Sequence, residues 1–235
     1  MGSVTATLEF LSRNPLYDKE TPYQIIPSSR TRIQDPLSLS NIKLITQEVQ
    51  IHDATKKLDT FTLHSSGFQF VRHEPQNLEF TSQDTLEDYA KETEHFLSRI
   101  FNPVHCLVEY MWVLKELLRE QDKEQYMKPG YRIRIIKYVD PAQISLTLLI
   151  DSYSTWRPLN SKVEDRPLAV CDYRSVNKND LVAVDRVFPH ERRQNYLLQH
   201  SESQMFYYFP QQTPQDLTLM VMFDTQASGN ARCKP

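Results

Sequence analysis

The side chains in this sequence that could do chemistry begin with Tyr138 and Asp140, two apart in YRIRIIKYVD. Residues two apart on a strand share a face, so this pair would set a phenolic donor beside a carboxylate able to act as general acid or base. The plainer reading is an aspartate that closes a strand before Pro141. Arg157 after Trp156, and Arg174 after Asp172, offer planar cationic forks that could grip a carboxylate or enolate. The same guanidiniums would serve equally in an ion-pair network with Asp165 and Asp172. His200 could pass a proton, because an imidazole ordinarily titrates at about 6.5. His190, Glu191 and His200 could supply two imidazoles and a carboxylate to a metal, although His190, opening the arginine-rich turn HERRQNY, reads more simply as surface. His95 and His105 sit in helical patterns with no carboxylate following at metal spacing. In FYYF, Phe206 and Tyr208 share one face of a strand, and Tyr207 and Phe209 share the other. One pair packs in a core, and the other could line an apolar pocket.

Composition excludes much else. The four glycines, Gly2, Gly67, Gly130 and Gly229, are scattered, so neither a dinucleotide fingerprint nor a phosphate-cradling loop can be assembled. There is no G-x-S-x-G elbow and no H-E-x-x-H helix. A formal net charge of -3 gives no field that would draw in nucleic acid or anionic lipid. Cys106, Cys171 and Cys233 are few and odd in number, which suits reduced cytosolic thiols better than a disulfide framework or zinc. No window approaches a membrane span, the first residues lack a signal-peptide pattern, and Ala6 argues against myristoylation at Gly2. The expectation is a cytoplasmic protein without nucleic-acid or membrane partners.

The elements that must position these side chains follow from periodicity. Prolines at 15, 22, 27 and 36 predict an ordered arm over residues 1–40. Alternation in IKLITQEVQIHD and TFTLHSSGFQFVRHE, with Ser65, Ser66 and Gly67 at a turn, predicts hairpin strands over 41–83. Helical spacing of Leu86, Tyr89, Ala90, Phe96, Leu97 and Ile100, then Asn102-Pro103 opening a second apolar stripe, predicts a helical hairpin over 84–127. Short strands resume over 131–235: YRIRIIKYVD, QISLTLLID, LAVCDYR, DLVAVDRV, QMFYYF and LTLMVMFD. Together they make one α+β domain whose second half is an antiparallel sandwich or barrel.

TATLEFL, FTLHSSGFQFV, the block WRPLNSKVEDRPLAVCDYRSV from Trp156 to Val176, DLV at 180–182 and HSESQMFYYFPQQTPQDLTLMVMFDT occur in an order that resembles the fungal hydroxylase/desaturase family often called asaB-like or CmcJ-like. The likeness covers most of the chain, and W-R-P-L followed by P-L-A-V-C-D-x-R-S-V is specific. It implies a double-stranded β-helix, the jelly-roll or cupin-like barrel of iron and 2-oxoglutarate dioxygenases, with the helical hairpin packed on it. It also implies two histidines and a carboxylate on iron, supplied by an early H-x-D and by a histidine after (F/Y)-D-S. In this sequence the first motif reads Lys137-Tyr138-Val139-Asp140, with tyrosine in the histidine's place. Phe223-Asp224-Thr225 matches the second, but no histidine follows it. Asp140 alone survives by that alignment.

The resulting expectation is a metal-independent fungal biosynthetic enzyme without a cofactor. It would cyclise (in a pericyclic manner or otherwise), isomerise or dehydrate a polyketide- or terpenoid-like intermediate. Asp140 would be its base, Tyr138 and His200 its donors, and Arg157 or Arg174 its anion anchor, with Trp156, Tyr207 and Tyr208 along the pocket. Two alternatives stand beside it: an Fe(II)/2-oxoglutarate hydroxylase or desaturase, and a non-catalytic binding protein. A homodimer is compatible with such a barrel.

Overall fold

The computed structural model describes residues 2–27, 39–76, 78, 81–101, 151–159 and 161–224. Expectations that fall on 102–150 and 225–235, the second helix, Tyr138 and Asp140 among them, lie outside the described residues. The described residues divide into two compact units, the first made of those in 2–54 and 169–208, the second of those in 55–168 and 209–224.

In the first unit, VTATLEFL forms β1 (Val4–Leu11), where the sequence predicts only an arm. It pairs antiparallel with β3 (Leu44–Asp53), Val4 opposite Ile51 and Leu11 opposite Leu44. With a side-chain period of two, that register puts Ala6, Leu8, Phe10, Val49 and Ile51 on one face and Thr5, Thr7, Glu48 and Gln50 on the other. Two short strands extend the sheet: β9 (Phe206–Tyr208) runs parallel to β3, and β6 (Ala169–Cys171) runs antiparallel to β9. Phe10, Val49, Ile51, Phe206 and Tyr208 form the buried cluster on the apolar face.

A second sheet of this unit holds β2 (Tyr23–Ile25), β7 (Leu181–Val187) and β8 (Arg192–Leu198) in the order β2-β7-β8. β7 and β8 form a hairpin with Leu181 opposite Leu198, and Leu198 packs against the cluster of the first sheet. The run HERRQNY, predicted as an exposed turn, supplies most of β8. The β2–β7 and β3–β9 pairs are parallel, so the expected all-antiparallel pattern is replaced by a mixed one.

The second unit is built on a three-stranded sheet with β10 (Asp216–Asp224) between β4 (Phe68–Arg72) and β5 (Asp151–Trp156). The hairpin predicted over 41–83 does not form, because β3 and β4 belong to different sheets. Between them Thr62 caps α1 (Leu63–Ser66), accepting from the Ser65 N–H, and Gly67 closes that turn at φ 81°. Glycine adopts this left-handed conformation without a Cβ clash. Ser-Ser-Gly, read as a hairpin turn, is therefore the end of a helical one.

Helix α2 (Gln83–Phe101) starts where its pattern predicts. Ser82 and Thr85 cap it reciprocally, the Thr85 N–H donating to Ser82 Oγ and the Ser82 N–H to Thr85 Oγ1. Phe96 and Leu97 of α2 lie against Leu63, Leu217 and Leu219, the last two fully buried on β10. Leu219→Ala should cost about 2–5 kcal/mol, the range for opening a cavity at a buried leucine. Urea denaturation would check this, with Ile45→Ala, at a partly exposed position, costing far less.

Candidate functional site

In the second unit, Trp156 ends β5 opposite Thr218 of β10. Pro158, two residues on, has no N–H to continue a ladder. Arg157 lies between them with 6 % of its surface exposed. Its Nη2 donates to His73 Nδ1 at 2.9 Å, and its guanidinium lies 5.5 Å from the centroid of the Tyr89 ring. His73 follows β4, where its N–H donates to the Gln215 carbonyl, and its ring stacks against Phe96 at 4.2 Å. The other ring nitrogen, Nε2, faces Glu92 Oε1 at 3.4 Å. Glu92 accepts the Gln76 N–H on both carboxylate oxygens, at 3.1 and 3.2 Å. Arg157 thus stands at the head of a chain that runs through His73 to Glu92 on α2, with Tyr89 alongside.

The electrostatics agree with that geometry. Burial, and then the Arg157 cation, lower the His73 pKa below its usual value. Burial raises the Tyr89 phenol, and Arg157 opposes the rise.

In the first unit, Asp172 follows β6 and is buried. Arg174 grips it with both ends of its fork, Nε donating to Oδ1 at 2.9 Å and Nη2 to Oδ2 at 2.6 Å. The Arg174 N–H also donates to Oδ1, and Ser175 Oγ ties the turn to the Asp172 carbonyl and the Met205 N–H. Hydrogen bonding to Asp172 raises the Arg174 pKa, so this arginine is committed to an ion pair. Tyr207 faces this corner and stacks at a tilt on His52, 5.6 Å between centroids. Burial, then the Asp172 charge, raises its phenol.

His200 packs edge-on against Phe10 at 5.0 Å, while its carbonyl accepts from Arg13 Nη2. That arginine also donates to Asp180 Oδ1 at 2.6 Å and to Gln199 Oε1. Tyr208 lies in the core cluster and donates its hydroxyl to the Gly2 carbonyl. Asp165 is exposed and pairs with Arg166. The reading of Arg174 as part of an ion-pair network therefore has Asp172 as its partner.

The fit to iron can be tested on these residues. Among the described residues no three of His, Cys, Asp and Glu come together to hold a metal ion. His190 is exposed in the β7–β8 turn, Glu191 pairs with Arg193, and His200 packs on Phe10. The relocated triad is not assembled, and the described residues alone do not fit an iron centre.

His73 and Glu92 are absent from the sequence-based list. They lie 84 and 65 positions from Arg157, and no local spacing joins them. A histidine and a glutamate on unconnected elements carry no signal until the sheet order is known.

The architecture is the double-stranded β-helix of iron and 2-oxoglutarate oxygenases. A solved variant of the iron and alpha-ketoglutarate-dependent endoperoxidase NvfI aligns over 99 % of this chain and 87 % of its own with a TM-score of 0.70, at 20 % identity. A family model described as "Oxidoreductase/YMDC permease-like domain" matches residues 8–133 and 137–235, and the chain belongs to that family. Similar proteins include the Fe(II)/2-oxoglutarate-dependent dioxygenase nvfI of Aspergillus novofumigatus, 27 % identical over 82 % of this chain and 76 % of that protein. The hydroxylase/desaturase efuI of Hormonema carpetanum is 23 % identical over 83 % and 78 %. The hydroxylase/desaturase CTB9 of Cercospora beticola is 25 % identical over 96 % and 81 %.

These relatives are enzymes, and they bear out the resemblance to the fungal hydroxylase/desaturase family. They also correct the functional expectation. A metal-independent cyclase, isomerase or lyase without cofactor is overturned by relatives named as iron- and 2-oxoglutarate-dependent dioxygenases and as hydroxylase/desaturases. The inference of a dismantled iron site drew on Tyr138 and on residues after Thr225, all outside the described ones. Among the described residues no helix is long and apolar enough to cross a membrane.

Cys171, at the end of β6 next to Asp172, makes a direct chemical prediction. Burial, with the Asp172 charge behind it, pushes the Cys171 thiol from about 9 to about 11. Because only the thiolate reacts, and a thiolate of higher pKa is the better nucleophile, alkylation of native Cys171 at pH 8 should be about 10- to 100-fold slower than in the denatured chain. Peptide mass mapping would read this, and equal rates would contradict the half-buried placement beside Asp172.

Proposed function

We propose that this chain is an oxidoreductase of fungal secondary metabolism, of the hydroxylase or desaturase type, acting on a polyketide- or terpenoid-like small molecule with Fe(II) and 2-oxoglutarate. The observation that carries this reading is the family match over nearly the whole chain, joined to a barrel that aligns over 99 % of its length with an iron and alpha-ketoglutarate-dependent enzyme. Since the described residues do not themselves supply an iron triad, the metal would depend on residues outside them. Asp140, the surviving carboxylate of the H-x-D position, is the first candidate.

The described residues contribute positioning. Arg157 is a permanent cation held at the end of a strand, suited to fix a carboxylate or enolate oxygen through paired N–H groups. Trp156 beside it is buried and offers an apolar wall. Arg174 is engaged by Asp172, which makes it the weaker anchor of the two. Tyr207 keeps its proton to higher pH than a solvated phenol and would act as a donor. Tyr208 and His200 are taken up by packing, so a proton-transfer role for His200 is the least supported of the original set.

Purified protein supplied with Fe(II), 2-oxoglutarate and dioxygen should form succinate above an iron-free control, and a chelator should stop it. Extracts containing polyketides or terpenoids should raise the rate. Folded protein that yields no iron-dependent succinate with any such extract would overturn the proposal.

A further inference from the structure

We propose that His73, backed by Glu92, is a positioning residue for Arg157, and that it acts as a neutral imidazole carrying its proton on Nε2. Where Arg157 serves as the anion anchor this inference rests on the reading above; the contacts from Arg157 through His73 to Glu92 do not.

The tautomer follows from donor and acceptor counting. A guanidinium has five N–H donors and no acceptor. At 2.9 Å from Arg157 Nη2, His73 Nδ1 must therefore accept, which leaves the single proton of a neutral ring on Nε2. That nitrogen faces Glu92 Oε1, an acceptor that the Gln76 N–H holds in place. A protonated ring would set a second donor against Nη2 and a second cation against Arg157.

All the parts are on rigid supports. His73 is tied to the Gln215 carbonyl just before β10, Glu92 rides on α2, whose Phe96 and Leu97 pack against β10, and Arg157 directly follows β5. An arginine side chain has many rotamers and loses conformational entropy when fixed. A neutral ring fixes the direction of one N–H without placing a carboxylate against that nitrogen. The charged and titratable groups around His73 are Arg157 at the end of β5, Glu92 and Arg99 on α2, and Glu74 next along the chain. Arg157 and Arg99 oppose a proton on the ring, Glu92 and Glu74 favour one, and burial opposes it more than any of them.

The sign of the pH dependence follows. A histidine whose folded pKa lies below its unfolded value of about 6.5 stays neutral on mild acidification, and its arrangement is lost as the pH falls through the folded pKa. The hold on Arg157 is thus complete at neutral pH and fails in acid.

The test combines a measurement on the wild-type chain with variants. With 15N-labelled histidine, NMR should show His73 bare at Nδ1 and protonated at Nε2, titrating below pH 6.5, and Arg157→Gln should raise that midpoint. His73→Gln keeps one acceptor and one donor but cannot titrate. It should retain turnover at pH 7.5 within a few-fold and lose the wild-type acid limb, whereas His73→Phe should lower kcat/KM about 10- to 100-fold. Proton on Nδ1, or a midpoint at or above 6.5 that ignores Arg157→Gln, overturns the proposal. So does an unchanged acid limb in His73→Gln. If the wild type shows no turnover, the functional reading fails while the NMR arm still decides the role of His73.

Discussion

Burying the guanidinium of Arg157 constrains everything around it. A cation that gives up water costs several kcal/mol unless polar groups replace its hydration, and this one is nearly inaccessible at a strand end. The fold answers with groups from separate elements: the imidazole that follows β4, the Tyr89 ring on α2, and Glu92 behind the imidazole. Each must be in place for the others to be useful. The apolar contacts of α2 with β10 are therefore also what bring Tyr89 and Glu92 to the arginine.

The first unit solves the same problem with carboxylates, Asp185 paired with Arg192 among them. Asp172 and Asp180 are both buried, and each meets an arginine whose own side chain is half exposed. Arg174 is local, two residues from Asp172, and stiffens the turn after β6. Arg13 is remote, and it ties the end of β1 to Asp180, Gln199 and the His200 carbonyl. Partial exposure of both arginines limits what these pairs add to stability. Their clearer effect is on geometry, since a buried carboxylate fixes which arginine rotamer is allowed. Two arginines that look equivalent in the sequence thus have different fates: Arg174 closes a turn, and Arg157 is held by a ring.

Much of the fold was legible because alternation and helical period are local. VAVDRV, the LTLMVM run and the Tyr89–Phe96–Leu97 stripe lie where their patterns place them. Legibility failed where a segment is polar or its chemistry has two readings. RRQNYLL has the composition of a turn, yet its backbone pairs with β7 along its whole length. Ser65-Ser66-Gly67 fits a hairpin turn and a helix terminus equally well, and only the pairing of β4 with β10 decides between them. In the site, Trp156 and Arg157 were visible through the W-R-P-L resemblance. His73 and Glu92 were invisible because tertiary structure alone joins them. The functional inference erred for a related reason: missing histidines in one alignment weighed more than the rest of the block, and the relatives reverse that weighting.

If the proposed iron- and 2-oxoglutarate-dependent function holds, the described residues would orient and residues outside them would hold the metal. Native mass spectrometry of the chain titrated anaerobically with Fe(II) and 2-oxoglutarate tests this most directly. The account predicts a ternary species with one iron and one 2-oxoglutarate per chain. Apoprotein alone, at every concentration that saturates a related dioxygenase measured in parallel, would contradict it.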